Sequence, residues 1–547
     1  MTPSSAAVSP EAGPPVFSHQ EKIVIIAGLT LGMFLAALEQ TIVTTALPGI
    51  AAELKTAEHM SWVVSAYLLT STAATPIYGK LSDLYGRKLM LQTAIGIFLI
   101  TSLLCGLAQT MTELIVYRAL QGLGGGGLLA MAHATVADVV SPRERGRYQG
   151  YIAAVFAVAS VAGPVLGGVF TAHLGWQWIF WINLPFGLAA LIAAERTLKR
   201  LQVKRLRHKI DYAGAVLIVS AVCCILLITT MGGNDVAWNS PVILGLGLAA
   251  VLLFALSIWQ ERRAPEPILP PRLFHNRNYV IAMAASVLLA MIMIGGLVFM
   301  PLFLQLVYRL PADQAGLLMI PLTLTAVGGA LTAGQLVMRT GRYKHFPLIG
   351  LALQVAAMLL LGTVNAATPH WLSALYMGLS GYGIGLFMPV MLISVQNSVE
   401  MRDLGVGTAS VSFFRSMGGS FGVALFSAVL IAMLDRLIAA LPGTAVLGPH
   451  PAAQLLRDGP DALASTPAAL RDGVALAMTD AFQVVFWLAA GIAALAMVIV
   501  VFLREIPLRT GAAASGVSPA ANLSEAERAV ATVEKTSPGT SVAAPAD

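Results

Sequence analysis

Blocks of about twenty apolar residues, separated by short polar segments, repeat along almost the whole chain. A helix of this length crosses roughly 30 Å of hydrocarbon, the thickness of a bilayer core. The pattern predicts an all-α, polytopic membrane protein with fourteen transmembrane helices. Their approximate spans are 23–49, 61–79, 89–108, 113–137, 149–171, 177–195, 211–231, 241–259, 279–303, 315–338, 346–364, 371–396, 407–432 and 480–503.

Lysine and arginine residues are concentrated in every second loop. If the amino terminus lies inside the cell, the inner segments carry roughly 26 of these residues and the outer segments roughly 5. Cytoplasmic loops of membrane proteins carry an excess of basic residues, so this bias fixes the expected orientation. We therefore predict a multi-pass protein with both termini in the cytoplasm.

The composition also favours a bilayer as the solvent of this protein. Only 11% of the 547 residues are charged, whereas soluble domains carry about 25%. The net charge of +6 comes from basic residues in short loops, so it indicates a membrane rather than a nucleic-acid partner. Cys105, Cys223 and Cys224 all fall inside apolar blocks, where we expect free thiols and no disulfide.

A short motif occurs twice, 255 residues apart. Residues 79–88 follow the second span and residues 334–343 follow the tenth, and both copies hold Gly, Leu, Gly and Arg at the same spacing. Two six-helix halves with a two-helix insert would produce this repeat, as in many secondary transporters. The predicted domains are a cytoplasmic tail at 1–22, a six-helix bundle at 23–200, the insert at 201–262, a second six-helix bundle at 263–509 and a disordered cytoplasmic tail at 510–547.

The sequence offers little for enzymatic or nucleotide chemistry. The run Gly122 to Gly127 matches the spacing of a dinucleotide-binding loop, but it lies inside a membrane helix with no strand before it. A phosphate-binding Gly-Lys-Ser/Thr loop is absent, because the Gly-Lys pair at Gly79 is followed by Leu81. We expect no enzyme activity, no metal and no cofactor, which leaves an ion gradient as the energy source.

Several stretches resemble the 14-spanner drug:proton antiporters of the major facilitator superfamily, from residue 23 to about 509. The stretches that carry the resemblance are 38–48 in span 1, 79–88 after span 2, 118–122 in span 4, 163–168 in span 5, 176–185 before and within span 6, 414–419 in span 13 and 504–508 after span 14. The resemblance implies a bacterial inner-membrane exporter that works by alternating access. It would use the proton gradient to export hydrophobic, often cationic drugs or toxic compounds.

Glu39 is the carboxylate that lies deep within the spans of the first half. A charge at this depth is expensive, so an ionisable residue there indicates function by default. By the resemblance, Glu39 and Arg118 would couple proton movement to transport, although the family usually has Asp at the position of Glu39. The alternative is a static buried ion pair that only fixes helix packing.

The motif after span 2 would act as a conformational latch between the two halves. By the resemblance, Asp83 holds the outward-facing state with Arg87 beside it, near the start of span 13. A helix amino terminus attracts an anion, which suits this arrangement. The remaining members of the predicted latch are Gly79, Gly86 and Lys88. The alternative is an ordinary solvated loop.

Span 5 carries the antiporter motif of the family, which comprises Gly163, Pro164, Gly167 and Gly168. Small residues four apart let a neighbouring helix pack closely, and Pro164 should kink the span. The family interpretation is a pivot that limits leak; the alternative is simple helix packing. The substrate cavity has weaker candidates, namely Tyr67, Gln121, Phe303, Tyr382, Phe413 and Arg415.

Three readings of function stay open at this point. The leading one is proton-driven export of hydrophobic or cationic compounds, and the second is dedicated export of one endogenous metabolite or lipid. The third is a receptor or scaffold that kept the fold and lost transport. The expected partners are the lipid bilayer, the small-molecule substrate and, through the outer segment 435–478, a periplasmic adaptor protein; that segment otherwise reads as a loop without a partner.

Overall fold

The computed structural model describes residues 19–54, 60–140, 144–198, 211–232, 236, 239–442, 452, 455–456 and 466–508. The predicted tail at 510–547, most of the tail at 1–22, and residues 443–451, 453–454 and 457–465 of the outer segment 435–478 lie outside the described residues. The predictions of disorder at 510–547 and of an adaptor contact at 435–478 therefore stay predictions.

The described residues are nearly all helical. In chain order the α-helices are α1 His19–Glu53, α2 Met60–Tyr85, α3 Arg87–Gly106, α4 Met111–Val139, α5 Arg145–His173, α6 Trp178–Trp181, α7 Asn183–Thr197, α8 Tyr212–Met231, α9 Pro241–Glu261, α10 Arg277–Leu306, α11 Ala312–Leu318, α12 Ile320–Thr340, α13 His345–Leu361, α14 His370–Ser398, α15 Leu404–Ala439 and α16 Ala468–Val501. Two 3₁₀ helices, at Pro271–His275 and Met401–Asp403, precede α10 and α15.

Twelve helices in the described part of the chain are long and apolar enough to cross a membrane. This finding confirms an all-α, polytopic membrane protein. Helix α13, with 17 residues, is a shorter apolar helix, and α2 is not among the twelve. Each of these two helices coincides with a predicted span, so the count of fourteen stays a prediction.

Several predicted boundaries were wrong, because helices continue past the apolar blocks. Helix α16 begins at Ala468 rather than near residue 480, since its first turns include Arg471 and Asp472 and read as polar sequence. Helix α1 begins at His19, inside the predicted amino-terminal tail. The sixth predicted span consists of two helices, α6 and α7, that meet at Ile182.

The two halves of the chain pack in the same way. In the first half the strongest helix pairs are α2 with α4, α3 with α4 and α1 with α5. In the second half they are α12 with α14, α13 with α14 and α10 with α15, which are the corresponding helices of a six-helix repeat. Gly86 after α2 and Gly341 after α12 both have positive φ, at 96° and 70°. Both copies of the motif thus place a glycine with positive φ after the helix, a conformation that favours glycine, although ψ differs, at 150° for Gly86 and −3° for Gly341.

The two halves meet at one end of the molecule, which we call the latch end: it holds Gly86 and the start of α15 at Leu404. There α2 contacts α15, and α5 contacts both α12 and α14. Towards the other end, which we call the far end, the large apolar cores of the described residues belong to one half each. The structure is therefore closed at the latch end, with the two halves separate at the far end.

Candidate functional site

Glu39 lies at the centre of a buried polar network inside the first half. Its side chain is 0% exposed, and its Oε1 accepts a hydrogen bond of 2.5 Å from Nη1 of Arg118. Its Oε2 accepts a hydrogen bond of 2.6 Å from Nδ2 of Asn183. The structure thus brings together the two predicted coupling residues, which lie 79 positions apart in the chain.

Further polar groups surround the guanidinium of Arg118. Its Nε donates to the carbonyl of Val63 at 3.0 Å, and its Nη1 also donates to Oε1 of Gln121 at 2.6 Å. Gln121 in turn donates to Oγ of Ser102 at 2.7 Å. The aromatic face of Tyr67 lies 4.3 Å from the guanidinium carbon, close enough for a cation–π contact. The cation is therefore held by hydrogen bonds and an aromatic face together.

The glycine run of α4 explains how these groups come together. A Cβ atom at Gly122 or Gly126 would lie 2.4 Å or less from atoms of α2, and one at Gly124 would lie 2.7 Å from the backbone of α3. Only glycine lets the three helix backbones approach this closely. The run that resembled a dinucleotide loop therefore serves helix packing, and it places Arg118 and Gln121 against α2 and α3.

Sequence reasoning missed two members of this network. Asn183 and Ser102 are fully buried, and Asn183 bonds both to Glu39 and, at 3.3 Å, to Ser102. The signal available in the sequence was the amide of Asn183 inside an otherwise apolar block. With these partners Glu39 is satisfied by an ion pair and an amide, so removing either charge would leave the other buried and unpaired.

The latch residues also meet in the structure. Asp83 accepts hydrogen bonds from the backbone N–H groups of Gly405 and Val406, at 3.1 and 3.0 Å. These two residues form the first turn of α15, where free N–H groups and the helix dipole favour an anion. A Cβ atom at Gly79 would lie 2.5 Å from Cβ of Ala409, so the glycine permits α2 and α15 to touch. Asp83 thus joins the first half to the second.

Arg87 fixes Asp83 from within the first half. Its Nη1 lies 2.6 Å from Oδ1 of Asp83, and its Nε donates to Oδ2 of Asp138 at 2.7 Å. Arg87 also donates to the hydroxyl of Ser82. Lys88, the last predicted member, instead forms an ion pair of 2.7 Å with Glu195 on α7. The ion pair of Lys88 therefore lies within the first half and not at the contact between the two halves.

Two further ion pairs at the latch end were missed from the sequence. Arg272, in the 3₁₀ helix before α10, makes two hydrogen bonds to Asp403, at 3.0 and 2.8 Å, directly before α15. These bonds to Asp403 raise the pKa of Arg272. Lys80 of α2 pairs with Glu266 at 2.5 Å, in the segment that follows α9. The two residues of each pair lie far apart in the sequence, so the spacing of charged residues did not reveal the pairs.

The antiporter motif packs α5 against α1, close to Glu39. A Cβ atom at Gly163 would lie 2.0 Å from Oγ1 of Thr41, and one at Gly167 would lie 2.2 Å from Oγ1 of Thr45. A Cβ at Gly168 would meet nothing within 4 Å, so this residue is outside the contact. Helix α5 runs without interruption across Pro164, which is exposed.

The predicted cavity residues divide into two groups. Tyr67 and Gln121 belong to the Glu39 network, and Phe303 is fully buried among Phe482, Phe486 and other residues of the second half. Phe413 packs against α2 and α8. These four side chains are buried in this conformation, and their assignment to the substrate cavity stays a prediction, because the spacing of aromatic residues does not say which helix face is covered. Tyr382, whose hydroxyl lies 3.1 Å from that of Thr332, and Arg415 are half-buried.

Comparison with known proteins agrees with this architecture. The sequence profile of the Major Facilitator Superfamily matches residues 29–423. The chain is 39% identical over 507 residues to an uncharacterized MFS-type transporter of Mycobacterium tuberculosis, which covers 92% of this chain and 73% of the relative. It is 35% identical over 513 residues to the multidrug transporter protein MdtP of Bacillus subtilis, covering 90% and 94%.

A solved structure shares the fold at low sequence identity. It is that of the proton:xylose symporter XylE bound to 6-bromo-6-deoxy-D-glucose, with a TM-score of 0.56, 13% identity and coverage of 90% of this chain and 98% of that one. The predicted resemblance to the superfamily is thereby confirmed, and an enzymatic activity is not what this fold and family perform. The chain is a multi-pass membrane transporter that belongs to the Major Facilitator Superfamily.

Proposed function

We propose that this transporter is a proton-driven antiporter that exports hydrophobic, often cationic compounds across a bacterial inner membrane. The observation that carries the proposal is the buried pair of Glu39 and Arg118, which places a proton-accepting carboxylate next to a fixed cation in the transmembrane core. An ionisable pair at this depth is expensive and indicates ion coupling. The multidrug transporter named among the relatives supports the substrate class.

The expected orientation assigns a state to the structure. If the termini are cytoplasmic, the latch end faces the cytoplasm and the far end faces outward. The contacts of Asp83 with the start of α15 then close the cytoplasmic side. In this proposal the structure is the outward-facing state, from which substrate leaves and into which a proton enters.

The proton would act through the charge of Glu39. When Glu39 is protonated, its bond to Arg118 loses the charge that makes it strong, and Arg118 retains only its bonds to Val63 and Gln121. Because α1 and α5 touch at Gly163, a small movement of α1 around Glu39 is passed to α5, which contacts α12 of the other half. Protonation would thus alter the packing of α5 against α12, which is a contact between the two halves.

Replacing Glu39 tests the proposal directly. In everted membrane vesicles energised by a proton gradient, we expect the protein to drive uptake of a cationic dye and Glu39→Gln to reduce uptake to that of vesicles lacking the protein. Glu53→Gln on the same helix is the matched control, because Glu53 is exposed and bonds only to the side chain of Gln177 at 2.9 Å. Full gradient-dependent uptake by Glu39→Gln would show that the coupling assignment is wrong.

The dedicated-exporter reading predicts a different result in the same cells. If no dye in a broad panel moves but one endogenous metabolite or lipid accumulates in a deletion strain, the substrate assignment fails and the coupling assignment stands. If no gradient-dependent flux of any compound is found with the intact protein, the receptor reading is favoured instead.

A further inference from the structure

Arg415 is a second cation inside the transmembrane core, and its surroundings differ from those of Arg118. It lies on α15, about 16 Å along the helix from Leu404 at the latch end. The side chain is half-buried, and among the described residues it has no hydrogen bond and no carboxylate partner. Its nitrogens are also not among the unpaired side-chain atoms that are closed off from solvent. The guanidinium is therefore a half-buried cation without a polar partner among the described residues.

The nearest ionisable neighbour of Arg415 does not neutralise it. Arg415 interacts electrostatically with His133 on α4, which belongs to the first half. The Nδ1 atom of His133 lies 2.9 Å from the carbonyl of Leu129, so this nitrogen is occupied within its own helix. The electrostatic neighbour of Arg415 in the other half is thus a group that cannot supply negative charge.

Four acidic residues of the spans and the latch are engaged elsewhere. Glu39 is paired with Arg118, while Asp83 and Asp138 are both bonded to Arg87. Asp403 is bonded to Arg272 at the start of α15. A cation in the membrane interior without a counter-charge is costly, and such residues mark substrate or ion pathways. The counter-charge is then expected from outside the protein chain.

We infer that Arg415 binds an anionic group of the transported molecule, so that the substrate class includes amphipathic compounds with a carboxylate. A guanidinium offers two parallel N–H donors that match the two oxygens of a carboxylate. The inference rests on the proposed export function and narrows it, because it adds an acidic group to the hydrophobic molecules that the transporter would carry. A molecule with an apolar body and an acidic group, including a zwitterion, satisfies both Arg415 and the apolar walls.

A matched pair of dyes tests whether the protein recognises the acidic group itself. A rhodamine methyl ester and the corresponding free carboxylic acid share one cationic ring system and differ only in that group. We expect the purified protein in lipid nanodiscs to bind the acid more tightly than the ester, as measured by fluorescence anisotropy. Arg415→Gln should weaken binding of the acid by about 10-fold or more and leave binding of the ester nearly unchanged, since a charge-assisted bond contributes about 1.5–3 kcal/mol.

The conservative variant shows whether charge or shape is responsible. Arg415→Lys keeps the cation but loses the two-pronged geometry, so it should recover part of the affinity for the acid. Equal losses for acid and ester in Arg415→Gln, or tighter binding of the acid in that variant, would overturn the inference. If the intact protein binds the ester and does not bind the acid, the inference fails while export of cationic compounds stands. If it binds neither dye, the inference and the assignment of cationic substrates are both contradicted, while proton coupling through Glu39 is decided by the vesicle assay.

Discussion

The two halves of this transporter share a packing plan but differ in what they bury. In the first half, α1 and α4 enclose the ion pair of Glu39 and Arg118. In the second half, the corresponding helices α10 and α14 enclose a cluster of apolar residues around Phe303. A neutral hydrogen bond of 2.6 Å joins Tyr308 and Ser373 at this cluster. The first half therefore buries an ion pair, whereas the large apolar core of the second half lies apart from Arg415, a half-buried cation of that half.

This difference separates two tasks that a single transporter must perform. A core of packed aromatic and aliphatic side chains keeps its shape, since interiors are dense and resist rearrangement. A buried ion pair responds strongly to the loss of one charge. If the proposed proton coupling holds, the first half responds to the proton while the second half provides a stable surface against which it moves.

The largest effect is expected from breaking the ion pair. Arg118→Gln leaves the Glu39 carboxylate buried without its cation, which should cost about 3–5 kcal/mol of stability at neutral pH. Ser373→Ala in the second half removes only a neutral hydrogen bond and should cost about 1 kcal/mol. Thermal unfolding of both variants in detergent measures the difference. A loss in Arg118→Gln no larger than that in Ser373→Ala would contradict the proposed asymmetry.

An effect of intermediate size is expected at the equivalent helix contacts of the two halves, α1 with α5 and α10 with α15. Gly163→Ala brings a methyl group against Thr41, and Gly418→Ala brings one within 2.4 Å of the carbonyl of Val287 on α10. Such overpacking costs about 1–3 kcal/mol, so both variants should unfold at lower temperature by similar amounts. Gly168→Ala, which meets nothing, is the control. A stable Gly163→Ala variant would show that the α1–α5 contact adapts more easily than its geometry indicates.

The latch offers a comparison between two copies of one motif. Asp83→Asn removes the charge that faces the first turn of α15 and should shift the conformational equilibrium away from the closed latch end by about 10-fold. The equivalent position in the second copy is Met338, where Met338→Ala should leave the equilibrium nearly unchanged. Distances between spin labels at the far end report this equilibrium. An equal shift in both variants would show that the charge of Asp83 is not what holds the halves together.

The smallest effect is expected from the ion pair between Lys80 and Glu266. Glu266 is partly exposed, and such pairs contribute about 1 kcal/mol or less. Lys80→Gln should therefore change unfolding temperature by only a few degrees and leave dye efflux intact. A complete loss of efflux would show that this pair, like Asp83, is needed to hold the two halves together.

The sequence alone predicted the parts of the site that depend on local spacing. The repeat at 79–88 and 334–343 led to two six-helix halves, and the depth of Glu39 led to a partner in Arg118. The match of Asp83 to the start of α15 followed from where the predicted spans begin. Each of these inferences needs only helix geometry and the direction of the chain through the membrane.

The features that were missed depend on side-chain orientation and on long-range contacts. Phe303 was expected in the cavity, but apolar residues occur on all faces of α10, so periodicity does not identify its buried side. The bond of Asn183 to Glu39 spans 144 positions, and that of Arg272 to Asp403 spans 131. Only the folded arrangement of the helices brings such pairs together.

The insert makes the two flanks of the transporter unequal. Helix α8 lies against α2 and α15, with Ile218 and Val222 beside Ala73 and Phe413, so it covers the line along which those two helices separate. On the opposite flank α5 meets α12 directly, and the main contacts of α8 and α9 lie elsewhere. A molecule dissolved in the lipid leaflet would therefore meet α8 on the first flank, and the packed surfaces of α5 and α12 themselves on the other.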